Sequence, residues 1–130
     1  MDSLYVLAAA EGVQIIDWPL VAPILGMYVA CALIVEAPLI VLATTLICTP
    51  NIRRVVLAHN LGHHVTRRVG VETYVVTNPL CGSQQAIKWA AQHLIPESQL
   101  WQAIRMGINS PPELAKYFDV TDELVRLRLG

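Results

Sequence analysis

The chain reads as an α+β protein. A small, mostly antiparallel sheet packs against a long helix carrying a histidine motif, and a helical C-terminal part follows. Three observations predict this. Residues 13–43 break into Val- and Ile-rich pieces of strand length, interrupted by Pro19, Pro23, Gly26 and Pro38. Residues 50–68 and 83–94 instead place apolar side chains at helical spacing. The strands come first and the helices after them, the order expected of an α+β fold.

Residues 2–11 form a short helix with Leu4, Leu7 and Ala8 on one side and Gly12 as its stop. Residues 13–18 are a strand closed by Pro19. Residues 24–30 and 34–43 are two further strands, joined as a hairpin around 31–33. Thr49-Pro50-Asn51 starts a helix that runs to about Arg68 and ends at Gly70. Val55, Val56, His59, His63 and Thr66 share its adjoining faces, while Arg53, Arg54, Arg67 and Arg68 form its solvated side. Residues 71–81 are a loop holding a short extended piece, 73–76, before Asn78-Pro79. Ser83 sits near the N-cap of the next helix, 83–94, whose stripe is Ala86, Trp89, Ala90 and His93. A third helix spans 97–106 and stops at Gly107. Ser110, with Pro111 and Pro112 in the first turn, opens a helix through Phe118. Thr121-Asp122-Glu123 caps the last helix, which ends at Gly130.

Composition narrows the classes. The 130 residues fit one small domain, 1–108, with 109–130 as a helix pair packed on it or appended to it. A net charge of −1 supplies no field to draw the chain to nucleic acid or acidic lipid. Only 15% of residues are charged, against about 25% in average soluble proteins, so the chain is unusually apolar. Cys31, Cys48 and Cys81 make an odd set without C-x-x-C spacing, which argues against a disulfide framework and fits a reducing cytoplasm. No basic stretch precedes the first apolar residues, so no cleaved signal peptide is expected. Residues 20–50 carry one charge, Glu36, and are long enough to span a bilayer. Pro23, Gly26 and Pro38 interrupt them, β-branched residues are dense, and no Lys or Arg cluster flanks their start. Buried strands are therefore expected, and no membrane contact. An apolar hairpin with an exposed face would favour a homo-oligomer.

His59-Asn60-Leu61-Gly62-His63-His64 carries the chemistry. It has the form of the zincin motif H-E-x-x-H with one letter changed. Histidines four apart lie on one face of a helix and can grip one metal ion. Gly62 between them permits close packing. The residue that should be the general base is Asn60, whose amide takes no proton at neutral pH. A catalytic zinc takes three protein ligands and a water, so a third donor must come from elsewhere in the chain.

Three blocks resemble one family. Val55-Val56-Leu57-Ala58-His59-Asn60-Leu61-Gly62-His63-His64 is similar to the "LAHELGHH" core of the ImmA/IrrE zinc metallopeptidase-like proteins. Gln85-Ala86-Ile87-Lys88-Trp89-Ala90-Ala91-Gln92-His93-Leu94-Ile95-Pro96 resembles that family's "E-x-x-A-x-x-W/F-A-A-x-x-L-I-P" helix. Glu113-Leu114-Ala115-Lys116-Tyr117-Phe118-Asp119-Val120, with Thr121-Asp122-Glu123-Leu124-Val125-Arg126, resembles its closing "ELAxxFxVSxxxVxxRL" segment. The blocks come in the family's order, and the resemblance spans about residues 1–130. It implies a cytoplasmic zinc metallo-endopeptidase that cleaves or regulates repressor proteins, often in phage or mobile elements. It also implies a glutamate as third zinc ligand at a position that Ser83 occupies here. The chain thus departs from the family twice, at Asn60 and Ser83, and both changes remove a carboxylate. Weak or absent hydrolysis is expected, with a non-catalytic protein-binding module as the alternative. Glu72, Cys81 and His93 are other candidates for the third position, though His93 lies nearly three turns beyond Ser83. His64 points about 100° away from His63 and is expected at the surface or in support of a ligand. Tyr74 is a candidate oxyanion donor, or else a core or edge tyrosine.

Residues 113–129 also read as a helix-turn-helix. In the second helix Arg126 and Arg128 are balanced by Asp122 and Glu123, and Leu114, Phe118, Val120, Leu124, Val125 and Leu127 look like packing residues. A structural or partner-binding role is expected rather than contact with DNA phosphates.

Overall fold

The computed structural model describes residues 3–20, 22, 24–30, 37–44, 47, 49–66, 73–77 (backbone alone) and 84–130. Its elements in order are α1 (Ser3–Ala10), β1 (Gln14–Trp18), β2 (Gly26–Ala30), β3 (Leu39–Ala43), α2 (Pro50–Thr66), β4 (Thr73–Thr77), α3 (Gln84–Leu94), α4 (Glu97–Arg105), α5 (Pro111–Phe118) and α6 (Asp122–Leu129). The fold is α+β, as the sequence predicts.

The sheet order is β1-β3-β2-β4. β2 runs antiparallel to both β3 and β4, while β1 pairs with β3 in parallel. Of the strand expected at 34–43, Leu39–Ala43 is extended and Pro38, which has no N–H to give a ladder, precedes it. Residues 34–36, and the turn expected at 31–33, lie outside the described residues. The piece expected at 73–76 is a full member of the sheet, paired with β2, not a segment of loop.

β2 and β3 are the central strands, and this accounts for much of the apolar run. Tyr28, Val29, Ile40, Val41, Leu42 and Ala43 are all buried. Among the described residues no helix is long and apolar enough to cross a membrane. The register sorts the faces. Gly26 lies opposite Leu42 and Tyr28 opposite Ile40, and side chains directly opposite share a face. This face meets α2: Gly26 abuts Val56 and Asn60, and Tyr28 reaches His64.

α2 is buried at every position from 55 to 64, because the sheet covers one side and α3 another. The crossing with α3 is tight. A Cβ at Gly62 would fall onto the carbonyl of Ala86, so only glycine lets the two backbones approach this closely. The Gly62 carbonyl also accepts a bond from the Thr66 hydroxyl (2.7 Å).

Arg53 and Arg54, expected on the solvated side of α2, are half-buried and hold partners on other elements, while Arg67 and Arg68 lie outside the described residues. Arg53 bonds the carboxylate of Asp17 (2.5 Å) on β1 and the Tyr5 hydroxyl (2.9 Å) on α1. Arg54 donates to the carbonyls of Phe118 (2.5 Å) and Asp119 (3.3 Å) at the end of α5, where a cation complements the helix dipole. Asn51 donates to the Val120 carbonyl (3.3 Å) and Arg128 to that of Ile95 (2.8 Å). These partners are distant in sequence, so periodicity could not reveal them.

The caps follow their local signals. The Ser110 hydroxyl accepts from the Glu113 N–H and that of Thr121 from the Leu124 N–H. Asp119, between α5 and α6, adopts a left-handed conformation (φ 57°). Leu114, Phe118, Val120, Leu124 and Val125 of the helix pair belong to the same buried cluster as Leu57 and Leu61 of α2.

Gly62→Ala is expected to destabilise the fold by about 3 kcal/mol, the upper part of the range for overpacking. Urea unfolding measures it. A loss below about 0.5 kcal/mol would show that α2 and α3 separate freely.

Candidate metal centre

His59 and His63 project from α2 one turn apart. Their rings are stacked, with centroids 5.0 Å apart and planes 18° from parallel. Both residues are buried, at 2% and 7% exposure. Among the described residues, the buried side-chain nitrogen and oxygen atoms with no hydrogen-bond partner are His59 Nε2 and His63 Nε2. Leaving such an atom unsatisfied costs about 1–3 kcal/mol, which is why buried polar atoms are nearly always paired.

Burial also sets their charge. It pushes the His59 pKa down to about 4, with the neighbouring His63 adding to the shift, and it lowers His63 as well. Both imidazoles are therefore neutral at physiological pH. With the proton on Nδ1, each Nε2 presents a lone pair, the form a metal ion requires. Two neutral nitrogen donors on one helix face fit two of the three protein ligands of a zinc centre.

Asn60 faces another way. It is fully buried, lies about 100° round the helix from His59, and its side-chain amide donates to the Val56 carbonyl (2.8 Å). A Cβ on Gly26 would come within 2.8 Å of the Asn60 Nδ2. The amide therefore lies against β2, in space left by a residue without a side chain. A carboxylate in the same pose would face the Val56 carbonyl with no proton to donate, so this packing suits asparagine.

His64 is buried, not at the surface. Its Nδ1 lies 2.6 Å from the Tyr28 hydroxyl, and its Nε2 lies 3.7 Å from a carboxylate oxygen of Glu11. It ties α2 to β2 and approaches Glu11, just past α1. The sequence reading does not assign roles to Tyr28, Glu11 or Gly26. For Tyr28 the available signal is a hydroxyl within an apolar strand. For Gly26 it is a glycine inside a strand, a mark of close backbone approach.

Ser83, where the resemblance implies a third ligand, and the alternatives Glu72 and Cys81 lie outside the described residues. Tyr74 stands opposite Val29 in the β2–β4 ladder, and its side chain is outside them too. His93 stacks on Trp89 along α3, with centroids 4.8 Å apart and planes 11° from parallel, which is a packing role. Among the described residues no group of three or more His, Cys, Asp and Glu could hold a metal ion. A cavity of about 440 Å³ lies at the N-terminal end of α2, beside Asp17, Thr49 and Arg53. The chain matches no protein-family model, no curated protein and no solved structure.

The depressed His59 pKa predicts a pH dependence. The unfolded chain, with an ordinary histidine pKa of 6.5, binds a proton that the folded chain refuses until about pH 4. Stability is unaffected above 6.5, falls as pH drops from 6.5 towards 4, and levels off below. The loss from this residue is about 3 kcal/mol. His59→Leu is expected to remove that part of the slope in denaturant titrations between pH 7.5 and 4.5. An unchanged slope would show that His59 titrates normally in the fold.

Proposed function

We propose that this chain is a zincin-like protein of the ImmA/IrrE type, holding zinc at His59 and His63 and gripping a segment of a regulatory protein, with little or no hydrolysis. The observation that carries the reading is the pair of buried, neutral imidazoles whose Nε2 atoms lack partners on one face of α2. A ligand that accepts both lone pairs relieves the penalty of burying them. The three sequence blocks supply the family and its substrate class, a repressor protein in phage or mobile elements.

A zinc ion bound there supplies Lewis-acid chemistry towards a peptide carbonyl. The chain's own residues do the rest. His59 and His63 hold and orient, and His64 braces the helix through Tyr28. Asn60 accepts no proton, and losing a positioned general base lowers hydrolysis by about 10²–10⁴-fold. Ser83 is a poor zinc ligand beside the glutamate of the family pattern, so metal retention is weaker too. Peptidase activity is thus low, and a protein-binding role is the stronger of the two. A cytoplasmic setting agrees with the odd, unspaced cysteines.

The C-terminal helices do not favour DNA. On α6, Leu124 and Val125 are buried, Arg128 is spent on the Ile95 carbonyl, and exposed Arg126 stands three residues from exposed Glu123. Little positive charge is left to meet phosphates.

Zinc analysis of the purified chain tests the reading. Close to one equivalent is expected after zinc is added. His59→Ala and His63→Ala should each lower affinity at least about tenfold, as loss of a ligand must, and Ser83→Glu should raise it. Less than a tenth of an equivalent, with no gain on adding zinc, would end the metal claim. An unchanged affinity for Ser83→Glu would remove residue 83 from the centre.

A further inference from the structure

We propose that the outer edge of β1, unpaired among the described residues, pairs with the β1 edge of a second copy of this chain, antiparallel, about a two-fold axis at Ile16. β1 is an outer strand of the sheet. The Gln14 N–H bonds the Pro38 carbonyl and the Trp18 carbonyl accepts from Thr44, so residues 14, 16 and 18 turn their peptide groups towards β3. Alternation along a strand then turns the N–H and C=O of Ile15 and Asp17 outwards, to the open edge.

This edge carries few of the usual defences against pairing. Edge strands are commonly blunted by lysine, by proline, by a bulge or by an inward charge. The register of β1 with β3 is continuous from Gln14 to Trp18, without a bulge, and the strand contains neither lysine nor proline. Its one charge, Asp17, is paired with Arg53. On the face away from α2, Ile16 and Trp18 are 40% and 61% exposed, large apolar side chains left uncovered by the protein's own fold.

The strand complements itself. With Ile16 on the axis, Ile15 of one copy stands opposite Asp17 of the other. Each N–H meets the C=O of its counterpart, the hydrogen-bonded pairing of an antiparallel ladder. Ile16 stands opposite Ile16 in the closer, non-bonded position, and Trp18 lies diagonally against it. On the opposite face the two Asp17 carboxylates come diagonally close, and Arg53 of each copy answers its own. The contact is isologous, as closed dimers require. It joins two four-stranded sheets into one and covers the apolar face of β1. An interface of one short strand pair belongs to the weak, concentration-dependent class.

Sedimentation velocity of the full chain over rising concentration is the test. A monomer–dimer equilibrium is expected. Ile16→Lys and Ile16→Glu should each abolish it, because like charges then meet on the axis. Mixing the two variants should restore the dimer, because opposite charges meet there. Hydrogen exchange on the unaltered protein gives a second readout: the Ile15 and Asp17 amides should gain protection as concentration rises. A chain that stays monomeric at its highest soluble concentration would overturn the proposal. So would variants that dimerise as the parent does, a mixture that stays monomeric, or amides whose protection ignores concentration. Recruitment of a foreign strand by a monomeric chain would count against it as well.

Discussion

The crossing of α2 and α3 at Gly62 and Ala86 is the contact on which the rest depends. With no side chain at 62, the backbones meet, and α2 sinks between α3 and the sheet until every residue from 55 to 64 is buried. A helix so enclosed must carry apolar residues all round, or satisfy its polar ones. Leu57, Ala58 and Leu61 meet the first condition. Asn60 and His64 meet the second, through the Val56 carbonyl and the Tyr28 hydroxyl. His59 Nε2 and His63 Nε2 meet neither, and that exception points to a ligand. Such exceptions in native proteins gather at functional sites more than in passive cores.

The same burial divides the motif into two jobs. The histidines are kept neutral, and their Nε2 atoms have no hydrogen-bond partner. The residue between them is turned to the sheet and spent on structure. In the zincin pattern that residue takes a proton. Here Gly26 makes room for an amide that donates a hydrogen bond, and a carboxylate would lose that bond. Asparagine at 60 is thus matched by the packing around it. On the reading proposed above, a histidine pair without a neighbouring base suits gripping a peptide segment more than cutting it.

Much of the fold was legible because its signals are local. Gly12 and Gly107 have the positive φ expected of helix stops, Ser110 and Thr121 cap the helices they precede, and the strand-length pieces become the sheet. What was not legible depends on partners far along the chain. Arg53 and Arg54 look like a solvated face until Asp17, Tyr5 and the end of α5 are brought beside them. The parallel pairing of β1 with β3 has no local mark. His64 has the angle of a surface residue on an isolated helix, and becomes buried only because β2 covers that side. The histidine pair was legible as a motif, whereas its burial, neutrality and missing partners are products of the tertiary fold.

The central claim is that two buried, neutral imidazoles offer free Nε2 lone pairs on one face of α2. Long-range ¹H–¹⁵N NMR of the histidine side chains, recorded near pH 7.5 before and after adding zinc, tests it most directly. The account predicts that both rings carry their proton on Nδ1, and that both Nε2 resonances move together to metal-bound values. Rings protonated on Nε2, or charged at that pH, with resonances indifferent to zinc, would contradict it.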